Sequence, residues 1–170
     1  MSENLTSLSA LIRTTIFVRD LENSLFFYRS LGLDQTYYRG CLDHPSASSV
    51  LGLDYQPYDI AIIKVAGPNF GMLGLFQLAP EQMALTTEIV TGPARIGEVA
   101  LVFYVQSLDE VLPKLAEAGA LWLPEPELFE LGDIKQREVC VRDCDGILLN
   151  LVERDPHLQN LSGPELDFND

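Results

Sequence analysis

Basic residues are scarce in this chain of 170 residues, because 11 Lys and Arg stand against 25 Asp and Glu and the formal net charge is −14 at pH 7. A nucleic-acid-binding domain needs cationic contacts to phosphates, and a protein that docks on anionic lipids needs similar contacts to headgroups. The composition therefore argues against both partners. It leaves open whether the acid excess only keeps the surface soluble or also attracts a cationic ligand.

Long apolar runs are also missing. No stretch approaches the ~20 consecutive apolar residues that cross a bilayer, and residues 1–10 lack the basic start and apolar core of a secretory signal. We therefore expect a cytoplasmic protein. Only three cysteines are present, Cys41, Cys140 and Cys144, and their odd number and spacing favour free thiols over disulfides. A reactive Cys144 is an open alternative to an inert, half-buried one.

The first half of the chain predicts the order β-α-β-β-β. Residues 11–18 are rich in β-branched and apolar residues, as strands are. A helix follows, which Asp20 can cap and Gly32 ends. After it the sequence predicts, in order, a strand at 34–40, a long polar connection at 41–58 and strands at 59–66 and 71–78.

The second half predicts the same order after a linker at 79–97, in which a helical turn is indicated near 81–85. A strand at 99–105 precedes a capping box, Ser107 to Glu110, and the helix that it starts ends at Gly119. Pro113 should kink this helix. Further strands are expected near 121–123, 135–142 and 147–153, and the tail from Arg154 onward is polar and acidic.

The two halves align with a single offset. The segment Val18-Arg19-Asp20-Leu21 lies 87 residues before Val105-Gln106-Ser107-Leu108, and in both a strand ends, a capping residue follows and a helix begins. Such a repeat predicts paired β-α-β-β-β modules. We therefore divide the chain into an N-terminal tail (1–10), one domain (11–155) with half-modules at about 11–78 and 98–153, and an acidic C-terminal tail (156–170).

These motifs resemble those of the vicinal oxygen chelate superfamily, which includes glyoxalase I, bleomycin-resistance proteins and extradiol dioxygenases. The segment from Phe17 to Tyr28, closed by Leu31-Gly32-Leu33, is similar to the family's strand-to-helix signature. Arg142-Asp143-Cys144-Asp145-Gly146 resembles its D-P-D-G turn before the last strand, with Cys144 in place of proline. The resemblance implies an α+β fold, two βαβββ modules that form one cleft-bearing domain, and commonly a homodimer. It does not fix the reaction, because this fold hosts many chemistries.

The resemblance also implies four metal-ligand positions, and in this chain they hold Arg13, Gly74, Ala100 and Asn150. Arg has no lone pair to offer at neutral pH, Gly and Ala have no side-chain donor, and one neutral Asn oxygen is inadequate alone. Neither of the two histidines, His44 and His157, has the spacing of a metal ligand. We therefore expect no bound cofactor, with a divalent metal as the alternative.

Strand alternation then predicts the residues that line the cleft. It favours a mainly apolar surface with a few polar groups, suited to a small, partly aromatic molecule. The candidate ligand-binding residues are Arg13, Thr15, Phe17, Phe76 and Asn150, and the candidate proton-transfer residues are Glu98 and Tyr104. Arg13 could fork onto a carboxylate or carbonyl. Two alternatives stay open: Arg13 and Glu98 could pair with each other, and Tyr37 and Tyr38 could serve the strand or an interface instead of a ligand.

Four functions follow from these observations. The first is a metal-free protein that binds a small organic molecule, of the sequestering or resistance type, and the missing ligand set favours it. The second is a metal-dependent lyase, isomerase or dioxygenase, the common activity of the family. The third is a metal-independent enzyme that uses Glu98 or Tyr104, and the fourth is an interaction domain without chemistry.

Overall fold

The computed structural model describes residues 9–79, 81, 89–131 and 134–160. The chain divides into two compact units, unit 1 at residues 1–89 and unit 2 at residues 90–170. Both have the α+β character that the sequence predicts. Residues 82–85 of the expected helical turn, residues 1–8 of the N-terminal tail and residues 161–170 of the C-terminal tail lie outside the described residues.

The described residues of unit 1 form a four-stranded sheet and include two helices. Its elements are β1 (Arg13–Val18), α1 (Leu21–Leu31), β2 (Gln35–Leu42), α2 (Pro45–Leu51), β3 (Tyr58–Lys64) and β4 (Met72–Gln77). The strand order is β1-β4-β3-β2, with β1 parallel to β4 and the other pairs antiparallel. Apart from α2, the order is the predicted one.

The pattern of burial in β1 shows how this sheet divides its two faces. Ile16 and Val18 are buried, whereas Phe17 between them and Arg13 at the start of the strand are exposed. Successive side chains of a strand point to opposite faces, so one face packs on α1 and the other is left for a site. The apolar stripe of α1, which includes Leu25 and Tyr28, is buried.

Unit 2 repeats this arrangement. Its elements are β5 (Ala100–Val105), α3 (Leu108–Glu117), β6 (Glu127–Leu131), β7 (Ile134–Arg142) and β8 (Leu148–Glu153). The strand order is β5-β8-β7-β6, again with one parallel pair, β5 and β8. Helical spacing predicts a buried stripe of Leu108, Val111, Leu112 and Leu115; three of them are buried in α3, whereas Leu112 is only partly buried. The helix continues through Pro113.

Helices α1 and α3 begin in the same way, and this confirms the repeat found in the sequence. Asp20 and Ser107 cap α1 and α3 and accept from the backbone amides of Asn23 and Glu110. In each unit, a side chain of the last strand accepts a hydrogen bond from another amide of the helix start, that of the first helical residue. Leu21 donates to Gln77 Oε1 at 2.8 Å, and Leu108 donates to Glu153 Oε2 at 3.1 Å. These side chains satisfy amides that a helix start leaves without partners.

Helix α2 corrects one expectation, because residues 41–58 were predicted to be a connection without regular structure. His44 caps this helix, Pro45 occupies its first turn, and Gly52 ends it in a left-handed conformation (φ 68°). Proline at a helix start and glycine just after its end are recognised signals. The helix was not predicted despite these two signals, because the Ser and Ala residues between them show little hydrophobic periodicity.

The strand predicted near residues 121–123 is also wrong, since only Trp122 forms an isolated bridge, to Arg142. The strand of this hairpin is β6, which begins four residues later. Glu127 and Glu130 make its sequence polar at both faces, so periodicity alone does not reveal it. After β8, Pro156–Asn160 form a short 3-10 helix. No helix among the described residues is long and apolar enough to span a membrane.

Candidate functional site

The sheet face of unit 1 that points away from α1 carries a cavity of about 520 Å³. Helix α2 contributes to its wall on one side. The lining is mainly apolar and includes the four candidates that lie in this unit; it consists of Arg13, Thr15, Phe17, Tyr38, Leu42, Ser46, Ala47, Val50, Leu51, Ile60, Ala61, Ile62, Gly74 and Phe76. The structure thus brings together the residues that strand alternation had assigned to one face.

Arg13 lies across Gly74 on this face. A Cβ atom added at Gly74 would lie 3.0 Å from Arg13 Cδ, 3.3 Å from Arg13 Nε and 3.1 Å from Thr15 Oγ1. Thr15 is the direct neighbour of Gly74 in the ladder, and its hydroxyl accepts from Arg13 Nε at 3.2 Å. Gly74 therefore provides the space that the arm of Arg13 occupies, and Thr15 orients the guanidinium.

An aromatic cluster lines the same face. The rings of Phe17 and Phe76 meet edge to face with centroids 6.1 Å apart, and Tyr58 lies 5.7 Å from Phe76. Phe17 is 44% exposed, so part of this surface is open to a ligand. Aromatic side chains that already hold one another in place offer a flat apolar surface at little entropic cost.

Tyr38 is a lining residue that the sequence analysis treated mainly as a strand or interface residue. The ladder between β2 and β3 shifts between Thr36 and Tyr38, so Tyr37 is a β-bulge. Beyond the bulge, Tyr38 lies opposite Ile62 and faces the cavity. Its hydroxyl would be 2.7 Å from a Cβ at Gly40, so the missing side chain of Gly40 makes room for the phenol. Gly40, inside the strand and two residues after Tyr38, was the sequence signal for this arrangement, because glycine in a strand often marks a bulge or a close approach of another group.

Asn150 and Tyr104 lie on the face of the unit 2 sheet that points away from α3. Asn150 is the direct neighbour of Val102, and its Nδ2 donates to Glu138 Oε2 at 3.2 Å. Asn150 Oδ1 is buried and has no hydrogen-bond partner among the residues that the structure describes. Tyr104 is stacked by the guanidinium of Arg154, whose Cζ lies 5.5 Å from the ring centroid. The prediction of one cleft shared by both halves stays a prediction.

Glu98 has a different environment from the one expected for a general base. It lies just before β5, not within it. Both of its carboxylate oxygens accept from Arg142, at 3.0 and 2.8 Å, whereas the sequence had suggested Arg13 as its partner. The hydrogen bonds from Arg142 hold the pKa of Glu98 below its ordinary value, which makes it a weaker base. These contacts account for Glu98 as the counter-ion of a buried arginine.

Arg142 is 1% exposed and all its donors have acceptors. Besides Glu98, it donates to the backbone carbonyls of Gly92, Pro93 and Gly146 at 2.9 to 3.0 Å. A buried guanidinium is tolerated when its charge is paired and its donors are satisfied. Arg142 therefore fixes residues 92–98 against the end of the unit 2 sheet.

The positions that the family resemblance assigns to a metal do not fit one. At the first, Arg13 brings a positive charge, and at the second, Gly74 brings no donor and is covered by Arg13. Ala100 adds no donor, and Asn150 offers one amide whose nitrogen is turned toward Glu138. In the part of the chain that the structure describes, no three His, Cys, Asp or Glu side chains cluster. Divalent metals require several N, O or S donors.

The three cysteines are free thiols, as predicted. Burial, followed by the charge of Glu138, raises the pKa of Cys140, and burial together with Asp59 and Asp43 raises that of Cys41. A raised pKa lowers the thiolate fraction and with it the reactivity. Cys144 is half-buried beside Asp145, and its reactivity stays a prediction.

Comparisons with known proteins identify the fold. No family model and no curated protein matches the chain. Among solved structures, a glyoxalase family protein from Bacillus cereus matches with a TM-score of 0.69 and 24% identity, covering 89% of this chain and 97% of that one. A glyoxylase/bleomycin resistance protein/dioxygenase domain from Frankia sp. EAN1pec matches with 0.55 and 23%, covering 86% and 98%.

A third match is the fosfomycin resistance protein FosX from Listeria monocytogenes, in a complex with Mn(II) and 1S,2S-dihydroxypropylphosphonic acid. Its TM-score is 0.51 and its identity 15%, over 88% of this chain and 94% of that one. At these identities the likeness establishes the fold, which is the one implied by the sequence motifs. The chemistry of this chain has to be argued from its own residues.

Proposed function

From the fold of the glyoxalase, bleomycin-resistance and dioxygenase proteins, we propose that this chain is a metal-free protein that binds a small, largely apolar organic molecule through an anionic or carbonyl group at Arg13. The position of Arg13, laid across Gly74 inside an apolar cavity, carries this proposal. The cavity of about 520 Å³ has the size of a small-molecule site.

The guanidinium of Arg13 is prepared for an acceptor. Its Nε is used by Thr15, and no acceptor contacts its two terminal nitrogens among the described residues. These two nitrogens form the planar fork that binds a carboxylate through two parallel hydrogen bonds. Apolar residues of the cavity lining lie on one side of the guanidinium, and its other side is exposed, so a ligand can reach it.

The rest of the cavity selects the body of the ligand. Phe17 and Phe76 offer ring surfaces, while Ile60 and Ile62 offer aliphatic ones. The hydroxyl of Tyr38 supplies a further polar group at the same face. An aryl- or alkyl-substituted carboxylate matches this combination better than a sugar or a nucleotide, which would leave many hydroxyls or phosphates without partners.

The proposal can be tested by calorimetric titration of the full chain with phenylalkanoic acids and with the corresponding primary alcohols. We expect the acids to bind and the alcohols to bind about tenfold more weakly or less. Arg13→Met should remove the preference for acids. Arg29→Met is the matched control, because Arg29 lies on α1 and binds Thr36 outside the cavity. Equal binding of acids and alcohols, or an unchanged preference in Arg13→Met, would contradict the proposal.

A metal-dependent activity is the competing function, and the Mn(II) complex of FosX gives it a concrete form. It is tested by dialysing the protein against Mn, Zn, Ni and Fe salts and measuring the bound metal. Stoichiometric metal that is lost in a variant at Asn150 would overturn the metal-free proposal. A homodimer is a further part of the proposal, for which analytical ultracentrifugation is the direct measurement.

A further inference from the structure

The cavity of unit 1 contains a second glycine over which a polar side chain lies. A Cβ atom added at Gly40 would be 2.7 Å from the hydroxyl oxygen of Tyr38 and 3.2 Å from its Cζ. The phenol of Tyr38 therefore lies along its own strand above Gly40, as the arm of Arg13 lies above Gly74. A glycine within a strand often marks such a close approach. Two polar groups are thus held against the same sheet face, each by a missing side chain.

The strand register separates these two positions. Gly74 lies opposite Ile62, and Ile60, two residues before Ile62 in β3, lies opposite Gly40. The two glycines are therefore two strands apart across the sheet and two residues apart along it. With about 4.8 Å between strands and about 3.4 Å per residue, the separation is about 12 Å. The cavity has a polar group near each end of this diagonal.

The surface between the two glycines is apolar. Ile60 and Ile62 line the cavity and are 5% and 7% exposed. Phe76, directly opposite Ile60, adds the face of an aromatic ring. A polar group in the middle of a ligand would lose its water there without gaining a side-chain partner. The middle of the ligand should therefore be apolar.

Four of the lining side chains carry polar atoms: Arg13, Thr15, Tyr38 and Ser46. Thr15 Oγ1 accepts from Arg13 Nε, and Ser46 Oγ is bonded to His44 Nδ1 at 2.8 Å. The hydroxyl of Tyr38 has no hydrogen-bond partner in the part of the chain that the structure describes. A phenol hydroxyl can donate and accept. It is therefore available to a ligand, as the terminal nitrogens of Arg13 are.

We propose that Tyr38 is a specificity-determining residue of this cavity, and that the ligand is an elongated carboxylate with a hydroxyl or carbonyl oxygen at its far end. The inference rests on the proposed function, because Arg13 has to bind the carboxylate. Tyr38 then binds the far oxygen, and the apolar surface between them contacts the body. Since a hydrogen bond of about 3 Å joins each end to its donor, the ligand is somewhat shorter than the separation of the two glycines. A phenylpropanoate with a para substituent has this shape.

A purely structural Tyr38 would use only its ring. The side chain is 40% exposed, and the β-bulge at Tyr37 precedes it. Phenylalanine at this position would keep the apolar contacts of the ring and lack only the hydroxyl. The variant Tyr38→Phe therefore separates a structural role from a role in ligand selection.

The test is calorimetric titration of the full chain with para-hydroxyphenylpropanoate, its ortho isomer and unsubstituted phenylpropanoate. The two isomers have the same composition, but the ortho hydroxyl lies at the carboxylate end of the ring. We expect the para isomer to bind about threefold to tenfold more tightly than the other two acids, which is the effect of one net hydrogen bond.

Three variants assign this preference to the Tyr38 hydroxyl. Tyr38→Phe should lower the affinity for the para isomer to that for phenylpropanoate and keep the preference for acids over alcohols. Tyr37→Phe is the matched control, because it removes the same hydroxyl from the adjacent residue, which does not line the cavity. Gly40→Ala should reduce the para preference with the phenol still present, because the added Cβ displaces it.

Equal affinity for the three acids, a preference for the ortho isomer, or a para preference that survives in Tyr38→Phe would overturn the inference. So would a loss in Tyr37→Phe as large as that in Tyr38→Phe. A parent chain that prefers acids over alcohols but not para over ortho contradicts this inference alone. A parent chain without the acid preference contradicts the proposed function and the inference with it. Because the measured quantity is a ratio of affinities within each variant, a partial loss of folded protein does not imitate the result.

Discussion

The corresponding sheet faces of the two units differ in their chemistry although their ladders match. In unit 1, the third strand contributes Ile60 and Ile62 to the face, opposite Phe76 and Gly74. In unit 2, the third strand contributes Glu138 and Cys140, opposite Val152 and Asn150. The first face is apolar around one cation, Arg13, and the second carries the carboxylates of Glu127 and Glu138.

This difference shows which parts of a repeated module are constrained. The buried stripes and the helix caps recur because each unit has to cover one sheet face and satisfy the first amides of its helix. The other face does not have to pack on its own helix. Its residues were therefore free to acquire opposite charges in the two units.

The third strands also end on different cations. Lys64 at the end of β3 is exposed and binds the carbonyls of Gly67 and Pro68 and the side chain of Asn69. Arg142 at the end of β7 is buried and binds Glu98 with three carbonyls. Each cation binds the backbone of a loop next to its sheet. Lys64 does so at the exposed surface, whereas Arg142 is buried.

The largest effect is expected for Arg142→Met. Removing the guanidinium takes away the donor of three carbonyls and leaves Glu98 with the Arg95 amide alone. Breaking a buried ion pair costs about 3 kcal/mol or more, and the low end applies here because Glu98 is 21% exposed. Lys64→Met, the counterpart in unit 1, should lower the free energy of unfolding by about 1 kcal/mol or less, since its contacts are exposed. Urea denaturation of both variants measures the difference. Equal losses would show that burial does not distinguish the two cations.

The ion pair of Arg142 and Glu98 should also make the free energy of unfolding depend on pH in acidic buffer. The pKa of Glu98 is lowered from 4.5 in the folded chain. The ionised carboxylate therefore adds to the free energy of unfolding at pH values above 4.5, and this stabilisation is lost as the pH falls through the lowered pKa of the folded chain. Glu98→Gln should be less stable than the parent at pH 7. The gap should narrow as the pH falls below the ordinary value. A gap independent of pH between neutral and acidic buffer would refute the assignment; urea titrations at each pH measure it.

A smaller effect is expected for Gly74→Ala in unit 1. The added Cβ lies 3.0 Å from Arg13 Cδ, and because that neighbour is a flexible arm, the arm can move without unfolding the sheet. We expect carboxylate affinity to fall about tenfold, with the free energy of unfolding changed by about 1 kcal/mol or less. Calorimetric titration and urea denaturation separate the two quantities. Unchanged affinity would show that the position of Arg13 does not matter for binding.

The smallest effect is expected for Glu127→Gln in unit 2. It removes one of two like charges that face each other, so it should stabilise the chain by about 0.2–1 kcal/mol at low salt. The gain should shrink as salt screens the repulsion. Glu130→Gln, which removes a charge paired with Lys135, should bring no gain. Thermal unfolding at two ionic strengths checks both variants, and a loss of stability in Glu127→Gln would mean that another group compensates the pair.

Much of the fold could be predicted, because local signals were strong. Strand alternation placed Arg13, Thr15, Phe17 and Phe76 on one face, and capping residues located α1 and α3. Helix α2 and strand β6 were missed, since the first has weak hydrophobic periodicity and the second is polar on both faces. The partner of Glu98 could not be predicted, because Arg142 lies 44 residues away in sequence.

The sequence by itself determined the repeat and the buried stripes, because caps and periodicity are local properties. Only the tertiary structure decided that Arg13 lies over Gly74, that Arg142 takes Glu98, and that Glu127 faces Glu138. These pairings depend on the register between strands. Register is set by the packing of whole sheets and turns, and a shift of one residue would have reversed every face.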